Sequence, residues 1–179
     1  GVPSDSYDAV IGNLVIHLVD SPGDALEEAL RVLKPGGAFC FSCGGTARDE
    51  QHCFVTASAS CVLQSSGDHD KAEAWLHSTK SKGTIAYMRA LLSLHGFESV
   101  VGWEQDVALC VESREEAAML VRANAFTREL VPQDKKHLLC KAANEWAGLL
   151  FASRRPPMFG GTCFKARKPG TLEAVSNAN

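Results

Sequence analysis

Three residues within the first apolar run have properties that suit ligand binding and proton transfer. Gly12 lets the backbone approach a ligand closely, and the amide of Asn13 can both donate and accept hydrogen bonds. The imidazole of His17 belongs to the group type that accepts protons near neutral pH. Each residue also has a structural interpretation: a packing glycine, a turn asparagine, and a histidine held inside the apolar sequence DAVIGNLVIHLV.

Seven cysteines offer a second possible chemistry, at positions 40, 43, 53, 61, 110, 140 and 163. Cys40 and Cys43, with His52 and Cys53 nearby, are residue types that could bind zinc. The pair lies at the end of a predicted strand, however, where residues three apart point to opposite faces. A redox pair of this spacing opens a helix instead. We therefore predict no metal site and free thiols, as the odd number of cysteines also indicates.

Length and charge limit the classes of partner. The chain has 179 residues, 45% of them hydrophobic, which is enough for about one domain with a real core. A net charge of −3 gives no basic surface for nucleic acid or for an anionic membrane. No apolar run approaches the roughly 18 residues that a membrane span needs. We expect a cytoplasmic protein, although a chain that begins with Gly1 leaves an upstream targeting segment open.

The first 42 residues predict a strand, a helix and a second strand. The first strand covers about Tyr7–Gly12, and its continuous apolar sequence is typical of a strand covered on both faces. Ser21 is the expected N-cap of the helix and Pro22 its first residue. Gly36-Gly37 is expected to end the helix, and the sequence AFCFS at 38–42 to form the next strand. This arrangement is a βαβ unit.

The later elements are less regular. We predict a long connection over 44–82 with a helix around 70–77, and then a helix that begins near Thr84 and stops at Gly96. The next strand is either interrupted near Gly102 or divided in two. Helices over 113–130 and 134–152 and a last short strand before Pro169 follow. Ser113 followed by Glu116 fits a capping box.

Four short sequences, in the right order, resemble the second half of the class I S-adenosylmethionine-dependent methyltransferases. SYDAV at 6–10 resembles the family's "(S)FDAV" strand, and ALRVLKPGG at 29–37 resembles its "RVLKPGG" helix end. HGF at 95–97 is similar to its "AGF", and ARKP at 166–169 to its frequent closing residues. The resemblance spans nearly all of residues 1–169.

The resemblance implies a fold. We expect an α/β, partial class I methyltransferase (Rossmann-like) three-layer fold, with a mixed sheet of about four strands that lacks the family's first three. Residues 1–169 would be the C-terminal part of the domain, with a helical insertion at about 113–155 and a disordered tail at 170–179. The last two strands would form an antiparallel pair. The family's glycine-rich cofactor loop has no counterpart in this sequence.

The resemblance also implies a site. In open α/β sheets the ligand lies outside the carboxyl ends of the strands. Gly12, Asn13 and Leu14 would there line the pocket for the cofactor S-adenosylmethionine, and His17 would lie near the methyl acceptor as the candidate catalytic base. The acceptor pocket would be built from 44–82 and 113–155.

The implied function is methyl transfer to a small-molecule or lipid-like acceptor, as part of a larger protein. Without the glycine-rich loop, the chain alone is expected to be inactive. The alternative is a truncated, non-catalytic domain that acts as a scaffold or partner-binding module. Under either hypothesis the Tyr7–Gly12 strand would be an exposed apolar edge, available for pairing with another chain.

Overall fold

The computed structural model describes residues 1–45 and 47–170, with 78–82 described by their backbone alone. Within these residues the strands are β1 (Tyr7–Asn13), β2 (Leu33–Gly45), β3 (Glu98–Ala108) and β4 (Met158–Arg167). The helices are α1 (Pro22–Val32), α2 (Phe54–Ser66), α3 (His69–Lys82), α4 (Ile85–Leu94), α5 (Arg114–Ala123), α6 (Ala125–Leu130) and α7 (Lys136–Ser153), with a 3-10 turn at Gln133–Lys135. The tail predicted to be disordered lies outside the described residues after Gly170.

The four strands form one mixed sheet in the order β1-β2-β4-β3. β1 pairs with β2 in parallel. β4 runs antiparallel to β2, because Lys168 bonds to Gly37 at one end while Gly160 approaches Gly45 at the other. The predicted four-stranded mixed sheet is confirmed, and β1 forms one of its edges.

β3 and β4 form the antiparallel pair that the sequence predicted. Leu109, just after β3, donates its backbone N–H to Pro157, just before β4. Further along, the ring of Phe164 packs against Gly102. Along this pair, the residue numbers rise on one strand as they fall on the other, as they do in an antiparallel pair.

The chain divides into two compact units, which we call the sheet unit (1–43, 82–104 and from 162) and the helical unit (44–81 and 105–161). In the sheet unit, α1 and α4 pack on one face of the sheet. The rings of Phe39 and Phe41 stack with centroids 4.8 Å apart, and those of Phe41 and Phe164 at 4.9 Å. Leu26 of α1 and Met88 of α4 complete this core and are fully buried. Burial of such aromatic and aliphatic side chains is the main stabilising term of the unit.

The opposite face of the sheet is open within the described residues. Ile11 is 80% exposed, Val101 56% and Trp103 46%. The sequence predicted three layers. The described elements of the sheet unit form two of them, the sheet itself and one layer of helices. β1 is accordingly covered on one face, and not on both as its apolar sequence indicated.

The helical unit is built mainly on α2, α5 and α7. Its core contains Val62, Val121 and Ala143, each fully buried. Alanines are frequent among the core residues of α5 and α7, and their small side chains let the helices approach closely. Among the described residues, no helix has the length and apolarity that crossing a membrane would require.

Two helix boundaries differ from the sequence prediction. α1 ends at Val32, before Gly36-Gly37, because Leu33 turns extended and joins the ladder opposite Tyr7. The predicted helix over 113–130 is two helices, α5 and α6. Asn124 separates them, since its side chain accepts a hydrogen bond from Phe126 N at 2.9 Å and so begins α6.

Two further elements were predicted incompletely. α2 was not predicted at all within the connection over 44–82. β3 passes through Gly102 without interruption. A Cβ atom at Gly102 would lie 2.9 Å from the Phe164 ring, so glycine is required there to let the ring pack against the strand.

Candidate functional site

The carboxyl ends of β1 and β2 lie side by side, as parallel pairing requires. Asn13, the last residue of β1, stands in register with Ser42 of β2. Asn13 Oδ1 accepts a hydrogen bond from Ser42 Oγ at 2.6 Å, and Ser42 Oγ accepts one from Leu14 N at 3.1 Å. Within the described part of the chain, the side-chain N–H groups of Asn13 make no hydrogen bond. They are therefore available to a ligand at this strand exit.

Leu14 has an unusual backbone conformation, with φ of 54°. A branched side chain in the left-handed region is uncommon, and such strain often accompanies a binding site. The feature occurs elsewhere in the described chain at three other non-glycine residues, Asp5, Ser99 and Arg154. It therefore supports the strand exit as a candidate site only in combination with the bonds around Asn13.

Gly12 has room for a side chain. A Cβ atom there would lie 3.5 Å from Phe41 Cβ and 3.8 Å from Ile16 Cγ1, which are ordinary contact distances. The missing side chain thus faces the protein's own core. Close approach of a ligand to Gly12 stays a prediction, and the packing interpretation has this geometry in its favour.

His17 is half-buried in the turn after β1. Its backbone amide hydrogen-bonds to the Cys43 thiol. Burial first, and then the nearby Cys163, raise the pKa of that thiol to about 12, against the opposing effect of the bond from His17. Cys43 is thus a protonated, inert thiol at neutral pH. The catalytic role of His17 stays a prediction.

A shallow depression of about 240 Å³ lies on the open face of the sheet. Its lining includes Ile11, Gly12 and Asn13 of β1, together with residues of the other three strands. The remaining lining residues are Cys40, Phe41, Ser42, Trp103, Cys163 and Phe164. The predicted cofactor residues Gly12 and Asn13 therefore border a concave surface, and Leu14 and His17 follow it in the chain.

The helical unit contains a larger cavity, of about 390 Å³, between α2 and α7. We call it the α2–α7 cavity. Its lining residues are Glu50, Gln51, Thr56, Ala57, Ser60, Cys61, Gln64, Ala142, Glu145, Trp146 and Leu149. The surface exposed in the cavity is mainly apolar, although six of these eleven residues are polar, and such a mixture suits a small molecule.

Two residues define the inner wall of the α2–α7 cavity. Thr56 Oγ1 is buried and has no hydrogen-bond partner among the described residues. A buried hydroxyl without a partner is rare and indicates a missing one, such as water or a ligand. Cys61 is almost fully buried, and burial, then the charge of Glu145, raise its pKa to about 12. Its thiol is an apolar surface and not a nucleophile.

Asp49, His52 and Ser153 form a cluster that the sequence analysis missed. His52 Nδ1 lies 2.9 Å from Asp49 Oδ2, and His52 Nε2 lies 2.8 Å from Ser153 Oγ. A carboxylate, an imidazole and a hydroxyl that contact one another in this order are the arrangement of a nucleophilic triad. Ser153 Oγ, however, donates to Leu150 O at 2.6 Å in the last turn of α7, where carbonyl groups gather. An oxyanion would be disfavoured at that helix end, so the cluster anchors the end of α7 and does not form a nucleophilic site.

The cysteines show no grouping that would suit a metal. Within residues 1–45 and 47–170, no three His, Cys, Asp or Glu side chains come together as a possible metal site. Cys40 is half-buried while Cys43 is fully buried, and the two stand on opposite faces of β2. The described cysteines are all free thiols.

The N-terminal segment of the chain is similar to known methyltransferases. Residues 1–41 match the family model described as a methyltransferase domain. The mouse arsenite methyltransferase (Mus musculus) is 52% identical over 42 residues, which are 24% of this chain and 11% of that protein. The family resemblance expected from the sequence is confirmed over this segment, which contains β1, α1 and most of β2.

Two of the solved structures that match this chain are named as methyltransferases. An arsenic(III) S-adenosylmethionine methyltransferase from Chlamydomonas reinhardtii is 17% identical with a TM-score of 0.45, covering 96% of this chain and 40% of that one. A Haemonchus contortus phosphoethanolamine N-methyltransferase 2, in complex with S-adenosyl-L-methionine, is 14% identical with a TM-score of 0.43, covering 94% and 35%. The chain thus spans about a third to two fifths of these proteins. Similarity at this level identifies no equivalent residues.

Proposed function

We propose that this chain is the C-terminal part of an S-adenosylmethionine-dependent methyltransferase that acts on a small-molecule or lipid-like acceptor. The observation that carries the proposal is the methyltransferase-domain match over residues 1–41. This matched segment contains the strand exit at Asn13, where ligands bind in open α/β sheets.

The residues at the strand exit fit part of a cofactor. The side-chain N–H groups of Asn13 suit the carboxylate of the amino-acid end of S-adenosylmethionine, and Ser42 holds the amide oxygen so that these groups face outward. Leu14 would supply an apolar contact beside them. When bound, the cofactor supplies an electrophilic methyl group on sulfonium. The chain contributes position and exclusion of water.

His17 is our candidate for the proton acceptor. It lies three residues beyond Leu14, half-buried in the turn that leaves the strand exit. A neutral imidazole there would take the proton that an acceptor loses as it is methylated. Substitution of His17 by Gln is therefore expected to lower kcat far more than cofactor affinity.

We further propose that the α2–α7 cavity of the helical unit is a binding site for a small molecule. Its volume of about 390 Å³ suits a small molecule. The polar side chains of Ser60 and Gln64 can orient a ligand there, and the Trp146 side chain offers a flat apolar wall. We further propose that the 179 residues alone bind the cofactor weakly, because the chain has no glycine-rich loop like that of the family.

Calorimetric titration with S-adenosylhomocysteine tests the proposal. The protein translated from its native start codon should bind this product at micromolar concentration, and Asn13→Ala should weaken binding about tenfold, as loss of a hydrogen bond to a charged group predicts. Asn144→Ala, an exposed change on α7, is the matched control. No binding by the longer protein would contradict methyl transfer. Micromolar binding by the 179 residues alone would contradict our claim that they are incomplete.

The second candidate function is a non-catalytic scaffold. The exposed edge strand β1 and the open face of the sheet favour it, because unpaired edges and apolar faces are surfaces for partners. The titration distinguishes the two hypotheses, since a scaffold would not need S-adenosylhomocysteine.

A further inference from the structure

Three cationic side chains converge on a second cavity in the helical unit. It has a volume of about 420 Å³, and we call it the basic cavity. Arg122 enters it from the end of α5, Arg128 from α6 and Lys136 from the start of α7. The other lining residues are Gln133, Leu139 and Cys140, so no carboxylate of the described residues lines the cavity.

In the described part of the chain, the three cationic side chains have no acidic partner. Among the described residues, no carboxylate forms an ion pair with Arg122, Arg128 or Lys136. Lys136 Nζ instead donates to the carbonyl of Arg128 at 2.6 Å, and Arg122 Nη1 lies 3.9 Å from Cys140 Sγ. Like charges gathered in a concave surface raise its potential and attract an anion.

The start of α7 adds to this potential. α7 is the longest described helix, with 18 residues, and Gln133, Lys136 and Cys140 lie at or just before its first turns. Its N-cap residue, Lys135, makes no side-chain capping bond. The helix dipole makes this end of α7 positive, while the N–H of Lys136 itself donates to Gln133 O in the preceding 3-10 turn.

We propose that the basic cavity binds the phosphate group of a small molecule. Two guanidinium groups match the oxygens of a phosphate in paired hydrogen bonds, and a lysine adds a point charge. The dianionic charge balances most of the three cations, and Gln133 supplies a neutral donor. The proposal concerns the helical unit alone and stands whether or not the chain takes part in methyl transfer.

Binding is measured by heteronuclear NMR titration of the 179-residue chain with inorganic phosphate and with glycerol 3-phosphate, at constant ionic strength. Saturable shifts at Arg122, Gln133 and Cys140 are expected. Arg128→Gln should weaken the affinity about tenfold. This residue is exposed and only its backbone carbonyl bonds to Lys136, so the fold should survive. Lys141→Gln, an exposed position on α7 outside the cavity, is the matched control and should bind as the wild type does.

Cys140 gives an independent readout, because it lines the cavity and is half-buried. Phosphate should slow its alkylation by iodoacetamide and leave that of the exposed Cys110 unchanged. Tighter binding of glycerol 3-phosphate would identify a phosphate ester as the ligand, and tighter binding of phosphate the free ion. Shifts that chloride or acetate reproduce, an unchanged affinity in Arg128→Gln, or no protection of Cys140 would each overturn the proposal.

Discussion

At the scale of single residues, Asp49 stands between two cationic or potentially cationic groups. It lies 2.9 Å from His52 Nδ1 and 2.6 Å from Arg155 Nη1. The hydrogen bond with His52 first, and then the charges of His52 and Arg155, hold the pKa of the Asp49 carboxyl below its usual 3.8. The ionised Asp49 carboxylate is therefore more strongly stabilised in the folded chain than in the unfolded chain.

We expect Asp49→Asn to lower the free energy of unfolding at neutral pH. Because the folded pKa lies below the unfolded one, the contribution of Asp49 is complete above about pH 3.8 and disappears as the pH falls further. Urea denaturation of both proteins at a series of pH values measures this difference. Equal stability at neutral pH, or a difference that grows under acid conditions, would contradict the assignment. Asp8→Asn, at an exposed surface ion pair with Lys34, is the control and should change stability little.

The residue scale also explains what the sequence could predict of the site. Gly12, Asn13, Leu14 and His17 could be proposed from the sequence because they follow one another along a single strand exit, and their roles stay predictions. The Asp49–His52 pair was visible as neighbours on the chain, but Ser153 lies 101 positions beyond His52. The basic cavity joins three helices whose arrangement depends on packing and not on local pattern. Contacts of this kind require the fold.

At the scale of elements, N-caps give a direct comparison between two helices. In α5, Glu116 N donates to Ser113 Oγ at 3.1 Å, while the Glu116 carboxylate accepts from Glu112 N at 2.7 Å. The predicted reciprocal capping is present, with the return bond shifted by one residue. In α1 the N-cap Ser21 makes no side-chain bond. The two serines therefore occupy the same position with different roles.

We expect Ser113→Ala to destabilise the chain by about 1 kcal/mol, because the first N–H groups of α5 lose an acceptor. Ser21→Ala is the matched control, and its effect should be clearly smaller since no bond is lost. Equilibrium urea denaturation followed by circular dichroism measures both changes. Equal losses in the two variants would mean that the Ser113 hydroxyl contributes no capping energy.

Elements with a clear hydrophobic pattern were predicted, and elements without one were not. α4 was expected from Ile85, Met88 and Leu92, and the structure confirms it. α2 is buried on several sides, at Val55, Ala57, Ser58, Ala59, Cys61, Val62 and Ser65. A helix buried all round shows no amphipathic period, and its serines and alanines resembled a loop in the sequence. Tertiary packing, and not local preference, fixes such a helix.

At the scale of the whole molecule, the sheet unit leaves both an edge and a face uncovered within the described residues. β1 is the edge strand, and on it Ile11 is largely exposed and Tyr7 about half exposed. Val101 and Trp103 extend the apolar surface across the open face. Natural proteins rarely leave such surfaces free. Both functional hypotheses therefore require something to cover it, either another part of the same protein or a second chain.

The 179-residue chain should self-associate through this surface, and Ile11→Lys should suppress the association. A charge on an exposed edge strand opposes edge-to-edge pairing, while the stability should change by no more than about 0.5 kcal/mol, as for an exposed site. Sedimentation velocity across a wide range of concentrations measures the change. Leu94→Lys is the matched control, because Leu94 is 78% exposed in the same unit but lies on α4, away from the open face. A wild-type chain that stays monomeric, or equal suppression by both variants, would show that the β1 edge and the open face do not attract a partner.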